Sequence, residues 1–190
     1  MRPEAQDIQK SLDVLRNGGL ILYPTDTIWG IGCDATNPEA IEKIFALKGR
    51  SKEKSLIILL ENENQVASYV REIPDVAYDL IEYTEKPLTI VFDGAKNLPE
   101  NLVNQDGSIG IRIVNHPFCS ELLKRFRKPI VSTSANLSGE PSPKNFFDIS
   151  DEIKDGVDYI VDYEQESVGN KTPSTIMKLD PSGKFSFLRK

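Results

Sequence analysis

Pro129-Ile130-Val131-Ser132-Thr133-Ser134-Ala135-Asn136 is an apolar strand that runs directly into a hydroxyl- and amide-rich turn. Two other segments repeat the construction. Leu20 to Tyr23 reads as a buried strand, ended by Pro24 and followed by Thr25-Asp26-Thr27. A helix with Ile41, Ile44 and Phe45 on one face ends in the cationic turn Lys48-Gly49-Arg50. Short polar loops at strand and helix ends, over a floor of apolar runs, are how an open α/β sheet builds an anion-binding cleft.

The rest of the chain supplies the frame. Ile8, Leu12 and Leu15 recur at helical spacing, and Gly18-Gly19 supplies the stop. Ile28 to Cys33 is a second apolar stretch in which Gly30 and Gly32 allow close backbone approach. Asn37-Pro38-Glu39 starts the helix that leads to Lys48, with an N-cap, a proline at the first helical position and an acid in the first turn. Leu56 to Leu60 lacks polar alternation and so reads as a strand buried on both faces. Helices are expected near 62 to 70, near 75 to 84 and around Phe118, Leu122 and Phe126. Leu88 to Phe92 and Ile109 to Val114 read as strands, 137 to 145 as loop, and 148 to 166 as an acidic, solvated helix and turn. Tyr159 to Val161, Thr175 to Leu179 and Lys184 to Leu188 are candidates for late strands. Strands and helices mix without strict alternation. The expectation is an α+β (mixed α/β) fold in one domain over 1–190, a twisted mixed sheet of about seven strands flanked by helices.

The bulk numbers narrow the function. With 190 residues and 39% hydrophobic content, one full core is available. A net charge of −6 argues against coating nucleic acid by general electrostatics, although it leaves room for a local basic groove. Two cysteines and one histidine make neither a disulfide framework nor a metal set. The first ten residues contain acids and no apolar h-region, and no apolar run approaches the roughly 20 residues of a membrane helix. A cytoplasmic protein with no membrane contact is expected.

Lys48, Arg50, Lys52 and Lys54 place four cations within seven residues, just before the 56–60 strand. They read either as a cationic helix end that complements the dipole or as a phosphate clamp, with Arg as a planar fork and Lys as a mobile charge. The hydroxyls and amide at 132–136 either satisfy their own backbone or hold a carboxylate, amine or phosphate oxygen. Thr25-Asp26-Thr27 has the same two readings. Arg112 alternates to the opposite face from Ile111 and Ile113, and a buried Arg needs an anion, either a ligand or a carboxylate. His116, ahead of Pro117, has no nucleophile partner and reads as a loop histidine; Trp29 reads as core or cleft wall. There is no Walker A or Rossmann glycine fingerprint, so a nucleotide would need a different cradle.

At these residues the chain resembles the YrdC/Sua5 family of L-threonylcarbamoyladenylate synthases. The likeness runs from YPTDTIWGIGCDATNPEAI through KGRSKEKSLIIL, PLTIVF, GSIGIRIVNHP and PIVSTSANLSGEPSP to TPSTI and FLRK, essentially the whole chain. The family's spaced signature, Lys-x-Arg and far downstream Ser-x-Asn, is met at Lys48, Arg50, Ser134 and Asn136. The resemblance implies a YrdC-like fold with a concave basic cleft, in the short single-domain form. It implies an enzyme that condenses L-threonine, bicarbonate and ATP to threonylcarbamoyl-AMP and pyrophosphate, for modification of adenosine 37 in tRNA. By motif, Thr27, Arg112, Ser134 and Ser174 would hold threonine. Arg50, Lys54, Ser108, Asn136, Lys144 and Arg189 would hold ATP, and Lys48 would join Arg50 in the catalytic charge near bicarbonate and the phosphates. Magnesium would come with the nucleotide rather than on protein ligands. The product would be handed to a tRNA threonylcarbamoyl-transferase complex, and a direct tRNA contact is compatible with the groove. The competing reading is a non-catalytic module of the same fold that binds double-stranded RNA. Ser51, Ser55, Leu59 and Lys86 depart from the family pattern, which bears on fine geometry.

Overall fold

A computed structural model describes residues 3–49, 55–167 and 171–190. Helix α1 (Ala5–Arg16) buries Ile8, Leu12 and Leu15, and Gly18 leaves it at φ 70°, a left-handed conformation that glycine adopts without a Cβ clash. Strands β1 (Ile21–Tyr23) and β2 (Gly30–Asp34) follow. Helix α2 (Pro38–Leu47) starts as its sequence predicts: the Asn37 side chain accepts from the backbone N–H groups of Glu39 and Ala40, and Pro38 fills the first position. Then come β3 (Ile57–Leu60), a 3₁₀ helix (Glu63–Ser68), α3 (Val76–Tyr83), β4 (Leu88–Phe92) and β5 (Ile109–Ile113). Helix α4 (Pro117–Phe126) precedes β6 (Ile130–Ser134), and a short 3₁₀ turn (Phe146–Asp148) leads into α5 (Asp151–Asp155). Strands β7 (Tyr159–Ile160), β8 (Thr175–Leu179) and β9 (Phe185–Arg189) complete the order.

All the strands join one mixed sheet in the order β7-β1-β2-β6-β3-β5-β4-β8-β9. The β1/β7, β3/β5 and β4/β8 pairs are parallel and the others antiparallel. The sheet has nine strands among the described residues rather than about seven, because all three late candidates pair. Two features weakened that reading: β7 is two residues long, and every residue of β9 is exposed. The segment near 62 to 70 is a 3₁₀ helix, with Asn62 capping the N–H of Asn64 and Val66 its single buried residue. The acidic 148–166 stretch is not simply a solvated helix and turn: α5 buries Ile153, and β7 then enters the sheet beside β1.

The sheet has two unlike faces. One is apolar along its length, where Leu22, Ile31, Cys33, Ile58, Leu60, Ile90, Ile111, Val131 and Met177 pack with the Ala40, Ile41, Ile44 and Phe45 stripe of α2. On the other face, α1 and α4 cover only part of the surface, over Ile21, Tyr23, Leu59 and Ile130. Gly32 makes that packing possible, since a Cβ there would lie 2.7 Å from the Val131 carbonyl oxygen and 2.8 Å from the Tyr23 ring. Beyond the helices the same face is open.

Candidate active site

Alternation puts a different set of residues on the open part. On β6, Ser132 and Ser134 succeed Ile130; on β5, Gly110 precedes Arg112. Ser132 lies opposite both Gly32 and Ile57, Ile57 opposite Gly110, and Ile176 opposite both Thr89 and Arg189. Small and polar side chains thus cross the sheet from β2 to β9. They floor a cleft of about 170 Å³ whose walls are Thr27 and Trp29 on one side and Pro173 and Ser174 on the other. Pro173 and Arg189 also line a neighbouring, wider hollow of about 760 Å³, whose other charged residues are Asp26, Lys86, Lys171 and Lys190.

Arg112 is the buried cation of the cleft, 4% exposed. Its Nη2 is 3.4 Å from Asp26 Oδ1, so the carboxylate alternative of the sequence reading is met within the quoted Thr-Asp-Thr turn. Its Nη1 donates to Thr27 Oγ1 at 2.9 Å. The hydroxyl order follows from counting protons. Thr25 Oγ1 donates to the Ile28 carbonyl at 2.8 Å and accepts the Thr27 N–H at 3.0 Å, so Thr27 Oγ1 is left to donate to Thr25 Oγ1 across 2.9 Å. Thr27 is then an acceptor toward Arg112. Arg112 Nε, buried, has no hydrogen-bond partner among the described residues. A buried guanidinium N–H without an acceptor is costly, and an anionic ligand would satisfy it.

The opposite wall is pinned in the same way. Ser174 Oγ meets Thr89 Oγ1 at 2.8 Å, and the Ser174 carbonyl accepts from Arg189 Nε and Nη2 at 3.1 and 2.8 Å. Burial, and then the Arg112 guanidinium of the same cleft, make Arg189 less basic than an ordinary arginine, though it stays charged.

Lys48 has another part. It ends α2 and is 1% exposed, with Nζ donating to the carbonyls of Ser134 and Asn136. Its own carbonyl accepts from the Ser138 N–H at 2.9 Å. The ammonium therefore fixes the turn after β6. In that turn Asn136 Nδ2 donates to the carbonyls of Leu137 and Glu140, both at 2.8 Å, while the buried Oδ1 has no hydrogen-bond partner among the described residues.

The structure brings Thr27, Arg112, Ser134, Ser174 and Arg189 together around the cleft. Asn136 and Lys144 are not among its lining residues, and Lys144 is exposed beside Asp148. Ser108, four residues before Arg112 on the same face, is held in a tight turn by Asp106 and Asn104. Arg50, Lys52 and Lys54 lie outside the described residues. Ser132 and Thr133, read with the 132–136 hydroxyl turn, also line the cleft, as do Thr89 and Ser142, which were not singled out. Thr89 could have been suspected as a polar residue inside Leu88 to Phe92, but its partner is 85 residues away.

His116 lies between β5 and α4, outside helix and strand, at the N-cap position of α4 without a side-chain capping bond; it is nonetheless 5% exposed and faces Glu164 Oε2 through Nε2 at 3.3 Å. Burial lowers its pKa against the opposing pull of Glu164, favouring the neutral ring. Both cysteines are buried, and burial pushes their thiols far up, which removes them as nucleophiles. Among the described residues, no group of three or more His, Cys, Asp or Glu is arranged to hold a metal ion. No described helix is long and apolar enough to cross a membrane.

Comparison with known proteins adds an independent line. Residues 13–190 match the family model for Sua5, YciO and YrdC, described as telomere recombination. A threonylcarbamoyl-AMP synthase of Pseudoalteromonas translucida is 38% identical over 172 residues, 89% of this chain and 91% of that protein. A threonylcarbamoyl-AMP synthase of Photobacterium profundum is 35% identical over 173 residues, 90% of this chain and 92% of that protein. The crystal structure of P. abyssi Sua5 complexed with L-threonine superposes with a TM-score of 0.84 at 28% identity, over 94% of this chain. The chain spans about half of that protein, 52%. The crystal structure of E. coli YciO superposes with a TM-score of 0.83 at 23% identity, over 100% of this chain and 91% of that one, a likeness of fold.

Proposed function

The chain belongs to the Sua5/YciO/YrdC family, and from that premise we propose that it is a threonylcarbamoyl-AMP synthase, using L-threonine and ATP as substrates. The observation that carries the reading is the buried Arg112, held by Asp26 and Thr27 with Nε left over, at the floor of a small chamber that shares Pro173 and Arg189 with a wider, mostly cationic hollow. A chamber of about 170 Å³ is below the ~300–1,000 Å³ of drug-sized sites, so it suits an amino acid, with the nucleotide extending outward.

In this reading Arg112 takes the threonine carboxylate, and the Thr27, Ser134 and Ser174 hydroxyls hold its polar groups. Arg189 faces the nucleotide, with Arg50, Lys54, Ser108, Asn136 and Lys144 as the further ATP set. The threonine amine attacks bicarbonate; a carbamate forms and water leaves. A carbamate oxygen then attacks the α-phosphorus, its P–O bond forms as the bond to the bridging oxygen breaks, and pyrophosphate departs. No step needs a covalent protein nucleophile. Catalysis rests on holding the partners together and on cations facing the charge that develops. Lys48 would contribute chiefly by fixing the Ser134–Asn136 turn. Magnesium belongs to this reading as a companion of the triphosphate. The donors lining the chamber are hydroxyls and guanidiniums, and Asp26 is already paired, so a hard dication would find phosphate oxygens rather than a carboxylate cage.

The reading extends to one catalytic unit over 1–190, a cytoplasmic location, and a downstream transferase that takes the labile adenylate to tRNA. The Lys86, Lys171, Arg189 and Lys190 rim is where RNA would touch the protein. The test is pyrophosphate release that requires ATP, threonine and bicarbonate together, with the adenylate identified by mass spectrometry. RNA binding without such turnover would replace this reading with the RNA-binding module.

A further inference from the structure

Two segments outside the sheet pairing form the amino-acid end of the cleft: the turn Pro24–Thr27, and the stretch that leads through Lys171 to Ser174. A single ammonium joins them. Lys171 Nζ donates to the Thr25 carbonyl at 3.0 Å and to Glu164 Oε2 at 2.9 Å. That same carboxylate oxygen faces His116 Nε2 at 3.3 Å. Glu164 occupies φ 64°, a left-handed conformation that non-glycine residues rarely adopt. Such backbone outliers persist where surrounding contacts fix them, and here the carboxylate is fixed from two sides.

The Thr25 contact matters because of what hangs from it. Thr25 Oγ1 accepts the N–H and the hydroxyl of Thr27, and Thr27 Oγ1 accepts from Arg112. A shift of Thr25 is therefore passed to the guanidinium. Three residues beyond Lys171, Ser174 forms the facing wall with Thr89. Lys171 itself lines the wider hollow and not the small chamber, so it is placed to act without touching a ligand there.

We propose that Lys171 and Glu164 are positioning residues for the amino-acid subsite, setting the spacing between the Thr27–Arg112 wall and the Ser174 wall. An ordinary partly exposed ion pair would contribute little to anything. This one bonds a backbone carbonyl that terminates a hydroxyl chain leading to Arg112. The inference rests on threonine occupying the chamber between those walls.

The test uses the full chain with Lys171→Met, Lys171→Arg and Glu164→Gln, and Lys124→Met, an exposed lysine of α4 that lines neither the cleft nor the hollow, as a control. With ATP and bicarbonate saturating, K171M is expected to raise KM for threonine about tenfold, while kcat stays within about twofold. K171R should recover most of the loss, E164Q should show a smaller rise, and K124M none. An unchanged threonine KM in folded K171M overturns the proposal, as does an equal fall in every kinetic constant alongside lost stability. A wild-type protein without threonine-dependent turnover would instead sink the assignment of function. In that case the Arg112 Nε–H resonance decides: it should move in K171M, return in K171R and stay in K124M. A resonance unmoved in K171M refutes the positioning role.

Discussion

Two halves of one sheet face are built from the same strands and end up with opposite tasks. Where α1 and α4 lie across it, the face presents Ile21, Tyr23, Leu59 and Ile130, closed by Phe118 and Leu122. One or two residues further along those strands and on their neighbours it presents Gly110, Arg112, Ser132 and Ser134, and none of the described helices lies over them. The switch occurs inside β6, between Ile130 and Ser132. Helix cover, more than strand identity, decides whether a face is core or site. The covered half holds the strands rigidly enough for the open half to keep unsatisfied groups such as Arg112 Nε.

The comparison can be broken from the covered side first. Phe118 is fully buried between α4 and the sheet, so Phe118→Ala should cost about 3–5 kcal/mol of stability, read by urea denaturation. The fraction that remains folded should keep its KM for threonine; a large KM change would mean that the halves are not separable. Arg112→Ala attacks the open half. It should lower threonine-dependent kcat/KM about 10²-fold or more, roughly 2.7 kcal/mol, and leave Asp26 without its counter-charge. Turnover close to wild type would remove Arg112 from the site.

The smallest effect sharpens the boundary at the far edge of the open half. There Asp106 is held at about 2 by the Ser108 hydroxyl and then by Lys178. Its folded pKa lies below its ordinary 3.8, so the contribution is present above about pH 4 and is lost as pH falls toward 2. With that carboxylate 55% exposed, solvent screening keeps the effect small. Asp106→Asn should therefore differ from wild type in acid denaturation only above that window, with the two curves merging below it. Curves that stay apart below pH 2 would place the effect elsewhere.

Much of this was legible in the chain itself. The Asn37-Pro38 start of α2, the polar turns after β1 and β6, and the demand of Arg112 for an anion all follow from local chemistry. What escaped was set by distance along the chain. Asp26 was visible as part of a turn, but its pairing with Arg112 was not. Thr89 sits singly inside an apolar strand, where one hydroxyl looks like ordinary alternation. Lys48 stood at the end of a buried stripe, yet nothing local showed that its ammonium is taken up by carbonyls at 134 and 136. His116 is the loop residue it looked like, but its burial against Glu164 was hidden because that partner is 48 residues later.

The Thr25 carbonyl is reached by a side chain 146 residues downstream, and Thr27 and Thr89 each by one 85 residues downstream. Closing loops of that size is slow compared with forming helices or hairpins. A polypeptide emerging from the ribosome therefore has its covering helices and first strands long before it owns a competent hollow. If the cleft serves as proposed, half-made protein would have no means of releasing a reactive mixed anhydride, because capture of the amino acid would wait for β8 and β9 to dock.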